Sequence, residues 1–431
     1  MAPRLTRPTA TANKSVNAMT LDIEQRTNDL GEKTMPYFNS IAYFPDGKQM
    51  IGGSSDNSAR RWDLRTGKEI VEARFVCEQE VLAVAVSSDS RWVITGGGDW
   101  NGDDLGELKA YEVETGMMKT FQGHSGRVTC IDISMDNKLL ASGSWDKTAR
   151  IWDLNTGKLV AGPFECADMV GAVRFSQDSK KLAVKSGAHG MCLEVWDILE
   201  QKLDGRVGEA NGSIWPDSPV FWTTKYRSIV TAFRFEDVDE SVVLAGPTTI
   251  YEFDSSMLET VGAPFEGHNS RITCLALSLD CALLASASEY DDTIKLWAFE
   301  SRQLLVSFDG HNPRILILSP NSRQLAYAGR DQPKIHVCDI PPDILTRLWP
   351  EQATCSVCVL TAYIYHLSTN SSCRPLCLNI RTALTLSTYV ILFFHPYLSL
   401  ILRHYRSLTR LVILLPCAVS KSHGLLLPDR R

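Results

Sequence analysis

Gly123–Asp153, GHSGRVTCIDISMDNKLLASGSWDKTARIWD, is the stretch whose reading decides the fold. Its residues alternate through RVTCIDIS, turn at Met135–Lys138, run through the small residues of LLASGS, turn again at Trp145–Lys147 and close on TARIWD. Period-two alternation broken by turn residues every six to ten positions is what a small antiparallel sheet with a buried face requires.

The same pattern extends outward on both sides. PYFNSIAYFPDGKQMIGGSSDNSARRWDL ends on Trp62-Asp63, with Asp56 six residues before the Trp as in the reference unit. A second stretch from about Glu80 ends on Tyr111-Glu112, and MVGAVRFSQDSKKLAVKSGAHGMCLEVWDI ends on Trp196-Asp197. The next is the most degenerate and is read as closing on Tyr251-Glu252. The sixth ends on Trp297-Ala298, and the seventh carries His311 near its start and ends on Cys338-Asp339, with a first strand that reads two residues short. Third-strand anchors at 62, 111, 152, 196, 251, 297 and 338 make seven units.

A Gly-His near the start and a Trp-Asp near the end, about thirty residues apart, resembles the WD-repeat β-propeller family. The resemblance implies an all-β, seven-bladed WD-repeat β-propeller over residues 19–345, a short disordered N-terminus (1–18) and an atypical C-terminal tail (346–431). It also implies a structural tetrad, carried here by His124, Ser142 (or Ser144), Asp146 and Trp152. The sixth blade carries His268, Ser286, Asp291 and Trp297. These buried polar groups are expected to satisfy one another and fix the turns. A hydrolase triad built from the same His, Ser and Asp is disfavoured, because a nucleophile needs an exposed cleft and oxyanion donors. In this family the last blade borrows its outer strand from the N-terminal segment. Met19–Thr27 is the candidate, since Pro341 and Pro342 oppose a strand after the seventh unit.

Charge is unevenly spread. The whole chain carries −6, but eight basic residues against one acid after Gln352 leave −13 for residues 1–351. That balance argues against sequence-independent nucleic-acid binding and leans towards basic protein partners. The first thirty residues lack the apolar run of a secretory signal. Twelve Cys in no tight framework, with Cys130 and Cys274 at inward-looking strand positions, fit a reducing cytosolic or nuclear setting.

Other chemistry is set aside on spacing. Asp99–Glu107 lacks a calcium-loop pattern, and Gly52-Gly53 and Gly96-Gly97-Gly98 are followed by no Lys-Ser/Thr at nucleotide-loop spacing. No cofactor and no metal site is expected; the C-x2-C-x14-C-x3-C spacing of Cys355, Cys358, Cys373 and Cys377 is the nearest approach to one. Trp215 and Trp222, in and beyond the long connection after the fourth blade, are read as cover for the fifth blade or as interface anchors. For the tail, three readings stay open: a membrane-spanning segment over Thr382–Leu402, a helical hairpin formed with Leu411–Val419, or no selected structure.

The functional expectation is a non-enzymatic platform for protein–protein interaction. The face carrying the His loops is the usual docking surface in the family, and Arg127, Trp145, Arg271, Tyr290 and Arg330 are the rim residues expected to bind partners, other proteins of unknown identity. A propeller enzyme, which needs His, Asp or Glu converging on the inner strands, and a membrane-tethered adaptor are the alternatives.

Overall fold

The computed structural model describes residues 17–22, 26–27, 33–34, 36–71, 75–98, 106–187, 192–209, 219–223, 227–235, 246–329 and 333–350. These belong to a unit spanning Met1–Ser356, and a second unit, Val357–Arg431, lies outside the described residues together with the Cys355–Cys377 spacing and the Thr382–Leu402 segment. Among the described residues no helix is long and apolar enough to cross a membrane.

Each alternating stretch folds as one antiparallel sheet running from the centre outwards. In the third blade the order is Val128–Ile133, Leu139–Ser144, Thr148–Asp153 and Leu159–Glu165. Seven such sheets make a seven-bladed propeller, and six-residue strands recur because the turns recur. Ser134 Oγ donates to Asp136 Oδ1 at 2.7 Å and accepts from Leu139 N, with Asn137 in the left-handed region (φ 56°). The same Ser-x-Asp/Asn turn is built at Ser87, Ser176, Ser278 and Ser319. A short side chain that bonds its own backbone is what this tight turn needs.

Neighbouring blades pack face to face through apolar clusters. Trp152, Leu140 and Val128 of the third blade meet Trp92, Ile94 and Leu108 of the second, all at most 2% exposed. Burial of that kind is the main source of cohesion between blades.

The ring closes as a continuous sheet. Asn17–Asp22 pairs antiparallel with Lys334–Asp339, placing Leu21 opposite Ile335, both fully buried. The closing strand therefore begins two residues before the expected Met19 and ends at Asp22, while Arg26–Thr27 pairs instead with Lys33–Thr34. Past the seventh blade, a helix at Pro342–Leu348 buries Ile344 against the sixth- and seventh-blade core, and Trp349 Nε1 donates to Asp280 Oδ2 at 2.5 Å.

Two readings of the weaker blades need correction. In the fifth blade, Ile229 faces Phe253 as Leu140 faces Trp152, so the Trp-Asp equivalent is Phe253-Asp254 and not Tyr251-Glu252. The aromatic-acid pair two residues earlier satisfied the motif but not the strand register. In the seventh blade, the inner strand Pro313–Leu318 has the usual six residues. The shortening falls in the preceding loop, so Asp309, not His311, stands four residues before the strand as His124 does before Val128.

Candidate functional site

His124 lies in the loop entering the third blade, and Asp146 in the turn between its second and third strands. Both sit at the same end of the sheet. Asp146 Oδ2 is 2.8 Å from His124 Nδ1, His124 Nε2 is 2.8 Å from Ser142 Oγ, and Trp152 Nε1 donates to Ser142 Oγ at 2.9 Å. A carboxylate can only accept, so His124 donates from Nδ1, and Ser142 Oγ sits between Trp152 Nε1 and His124 Nε2. The hydrogen-bonded chain runs Trp, Ser, His, Asp. Asp146 also accepts from Ser125 N, Thr148 N and Thr148 Oγ1. Burial pushes the Asp146 carboxyl up, but the bonds from His124 and Thr148 outweigh it and hold it well below the usual carboxylate range.

The sixth blade repeats the arrangement. His268 Nδ1 is 3.1 Å from Asp291 Oδ2, His268 Nε2 is 2.8 Å from Ser286 Oγ, and Trp297 Nε1 donates to Ser286 at 2.8 Å. Burial pulls His268 below the ordinary His value despite Asp291. Ser142 and Ser286 are both 0% exposed, so neither hydroxyl can reach a substrate carbonyl.

The second blade carries a substituted version that sequence reading missed. Cys77 occupies the His position, four residues before its inner strand, and its Sγ lies 3.8 Å from Thr95 Oγ1 and 3.9 Å from Tyr111 OH. Counting back four residues from each inner strand was the signal available. By the same count Cys166 takes the His position in the fourth blade.

The His-loop end also surrounds one mouth of a central channel of about 750 Å³. Arg127 stands beside this mouth, its Nη2 2.9 Å from Glu80 Oε2, its Nε on Gly98 O, and its guanidinium 5.0 Å from the Trp145 ring. Tyr37 OH and Asn39 Nδ2 also donate to Glu80 Oε1. On the sixth blade Arg271 repeats the pose, 3.9 Å from Glu289 and 5.4 Å from the Tyr290 ring.

These distances alter the expected rim. Arg127 and Arg271 are 3% and 6% exposed, because each side chain turns inward to a carboxylate instead of being displayed. Trp145 is half-buried, Tyr290 is 62% exposed, and Arg330 lies outside the described residues. Glu80, Tyr37 and Asn39 were not foreseen. Tyr37 and Asn39 flank the start of the strand at Phe38 and Glu80 precedes the one at Val81, and no local motif links the two places.

The inner strands are not wholly apolar. Asp132 accepts from Arg174 Nη1 and from Phe175 N, each at 2.8 Å, and Trp222 Nε1 donates to Arg174 O at 3.0 Å. Trp222 is thus a tie between blades, and Trp215 lies outside the described residues. Asp132 is the only carboxylate among the described residues lining the channel.

The family model for the WD domain, G-beta repeat, matches residues 31–63, 73–102, 116–153 and 259–298. The described residues thus form a seven-bladed β-propeller that contains WD40 repeats. The chain is 31% identical over 153 residues to Periodic tryptophan protein 2 homolog of Schizosaccharomyces pombe, covering 34% of this chain and 18% of that one. Similarity to the guanine nucleotide-binding protein subunit beta of Oryza sativa subsp. indica is 33% over 121 residues, or 26% and 31% of the two chains. With eukaryotic translation initiation factor 3 subunit I of Culex quinquefasciatus it is 28% over 202 residues, or 45% and 58%. In each case the chain spans less than two thirds of the relative's length.

Proposed function

We propose that this protein is a non-catalytic scaffold that docks other proteins on the face carrying the His loops. The observation that carries the reading is an Arg beside an aromatic ring and a carboxylate, found twice on the His-loop face. Arg127 holds Trp145 and Arg271 holds Tyr290, so large aromatic surfaces are fixed before any partner arrives. Preordered aromatics lose little entropy on binding and are frequent interface anchors. Two of the relatives, a guanine nucleotide-binding protein subunit and an initiation factor subunit, are named as subunits of assemblies, which supports the same reading. Among the described residues, the one carboxylate lining the channel, Asp132, is already engaged by Arg174, which favours the scaffold over an enzyme. Six of the seven described cysteines are buried, in keeping with small apolar side chains in a cytosolic or nuclear setting.

The experiment is site-specific photo-crosslinking in cells, with the cross-linker at Trp145 or Tyr290 and, for comparison, at Met135 or Leu279, exposed residues lining the channel's other mouth. Partner adducts are expected at the first pair. Adducts confined to the second pair would move the docking face to the opposite side.

A further inference from the structure

The two faces of the ring are built from the same repeat, yet they differ in charge. The His-loop face is made by the connections entering each blade and those between second and third strands. Between Tyr37 and Asp339 the described residues of these connections hold ten acids and four bases, a net −6. The opposite face, made by the connections between first and second and between third and fourth strands, holds eight acids and nine bases, a net +1. The negative charge of the propeller's loops is therefore concentrated on one side.

The chemistry of each face accentuates the difference. Of the four bases on the His-loop face, Arg127 and Arg271 are buried against Glu80 and Glu289, and Lys147 is paired with Asp168 at 2.9 Å. Glu78, Glu209 and Glu266 are exposed there, Glu78 with Lys109 Nζ at 3.2 Å. On the other face the acids Asp89, Asp136 and Asp178 turn back to their own Ser hydroxyls and backbone N–H groups, while Lys48, Lys180 and Arg323 point to solvent. The His-loop face also seats guanidinium groups already. Arg127 lies 2.9 Å from the Glu80 carboxylate and 5.0 Å from the Trp145 ring, and Arg271 3.9 Å from Glu289 and 5.4 Å from Tyr290, so its carboxylates and aromatics already accept two guanidinium groups.

We infer that the His-loop face selects a basic, Lys/Arg-rich polypeptide segment as its partner. This rests on the docking reading above and adds the partner's charge and the face that reads it. Long-range attraction steers such a segment to the face, and rim contacts then set register more than raw affinity.

The test uses the full chain and two triple variants of equal net charge. One reverses the His-loop face (Glu78→Lys, Glu209→Lys, Glu266→Lys), and the other reverses exposed acids opposite (Glu114→Lys, Glu200→Lys, Glu300→Lys). Thermal melts confirm that both are folded. The probes are fluorescent alternating Lys-Ser and Glu-Ser peptides of about twenty residues, titrated at low and physiological salt. The expected result is salt-sensitive binding of the Lys-Ser peptide alone, weakened about tenfold by the first variant and unchanged by the second. Equal weakening by both variants, binding of the Glu-Ser peptide, or no binding overturns the inference. Photo-crosslinking separates this from the broader reading: partner adducts at Tyr290 alongside a failed Lys-Ser peptide remove only the basic partner. Lys-Ser binding with partner adducts confined to Met135 and Leu279 removes the docking face instead.

Discussion

The third and fourth blades are neighbours of the same length and both end on Trp-Asp, yet their interiors solve the same problem differently. In the third, Trp152 Nε1 has Ser142, Ser142 has His124, and His124 has Asp146. In the fourth, Val184 stands where Ser142 stands, Cys166 replaces the His, and Trp196 Nε1 is buried without an acceptor. One position further along, Lys185 is 1% exposed, its Nζ donating to Ala232 O and lying 5.8 Å from the Phe233 ring. A shared Trp-Asp ending therefore says little about whether the polar groups beneath it are satisfied. The third blade is held by a closed network. The fourth is held by apolar packing in spite of an underused amine and indole.

Lys185 gives the largest expected effect. Burial pulls its ammonium down to about 7, offset only slightly by Cys192 nearby. A folded value below the unfolded one means that the unfolded state binds more protons between those two values. Stability should then rise as pH increases from about 7 towards 10, and Lys185 costs the fold most at the lower end. Lys185→Met should remove this slope and stabilise the protein at neutral pH by on the order of 3 kcal/mol. Urea melts of both proteins across this range check it. Parallel stability-pH curves would show that the amine is better satisfied than its one carbonyl implies.

Asp146→Ala attacks the other side of the comparison. It strips His124, Ser125 and Thr148 of their shared acceptor and should cost about 2 kcal/mol, seen as a lower urea midpoint. Because the Asp146 carboxyl is held below its unfolded value, its contribution is full above about pH 4 and fades as pH falls further. The difference between wild type and variant should therefore shrink in acid. In the sixth blade the sign is shared but the window is higher. His268 is pulled below about 6.5, so the unfolded state gains the proton first and stability falls as pH drops below that value. His268→Gln, which keeps a polar side chain without the titration, should flatten that part of the curve.

How much of this was legible in the sequence follows from which signals are local. Blade count, sheet class and the two complete tetrads come from motifs confined to some thirty residues, where period and turn chemistry agree. The fifth blade misled because Tyr251-Glu252 satisfies the motif two residues away from Phe253-Asp254, and only pairing with Ile229 fixes the register. Glu252 occupies the place of a buried apolar residue there and is held by Ser228 and by Arg302 from the next blade, fifty residues away. Arg127 and Arg271 were foreseen at the mouth but not as buried, because their carboxylates arrive from elsewhere in the chain. Contacts that join distant strands leave no periodic trace.

The smallest effect tests the comparison most directly. If the fourth blade lacks only an acceptor, Val184→Ser should supply one to Trp196 Nε1, as Ser142 does for Trp152. Losing two buried methyl groups costs about 1 kcal/mol, and satisfying a buried indole returns a similar amount, so the single variant should be near neutral. Its meaning lies in a double-mutant cycle. Trp196→Phe keeps most of the ring's packing while deleting its N–H. It should therefore be cheaper in the wild-type background, where that group bonds nothing, than alongside Val184→Ser, by about 1 kcal/mol of coupling. Trp152→Phe in the third blade sets the reference for a Trp with its acceptor in place. Absence of coupling would mean that the Cys166 thiol or backbone relaxation already serves the indole, and that the two interiors differ less than their side chains suggest.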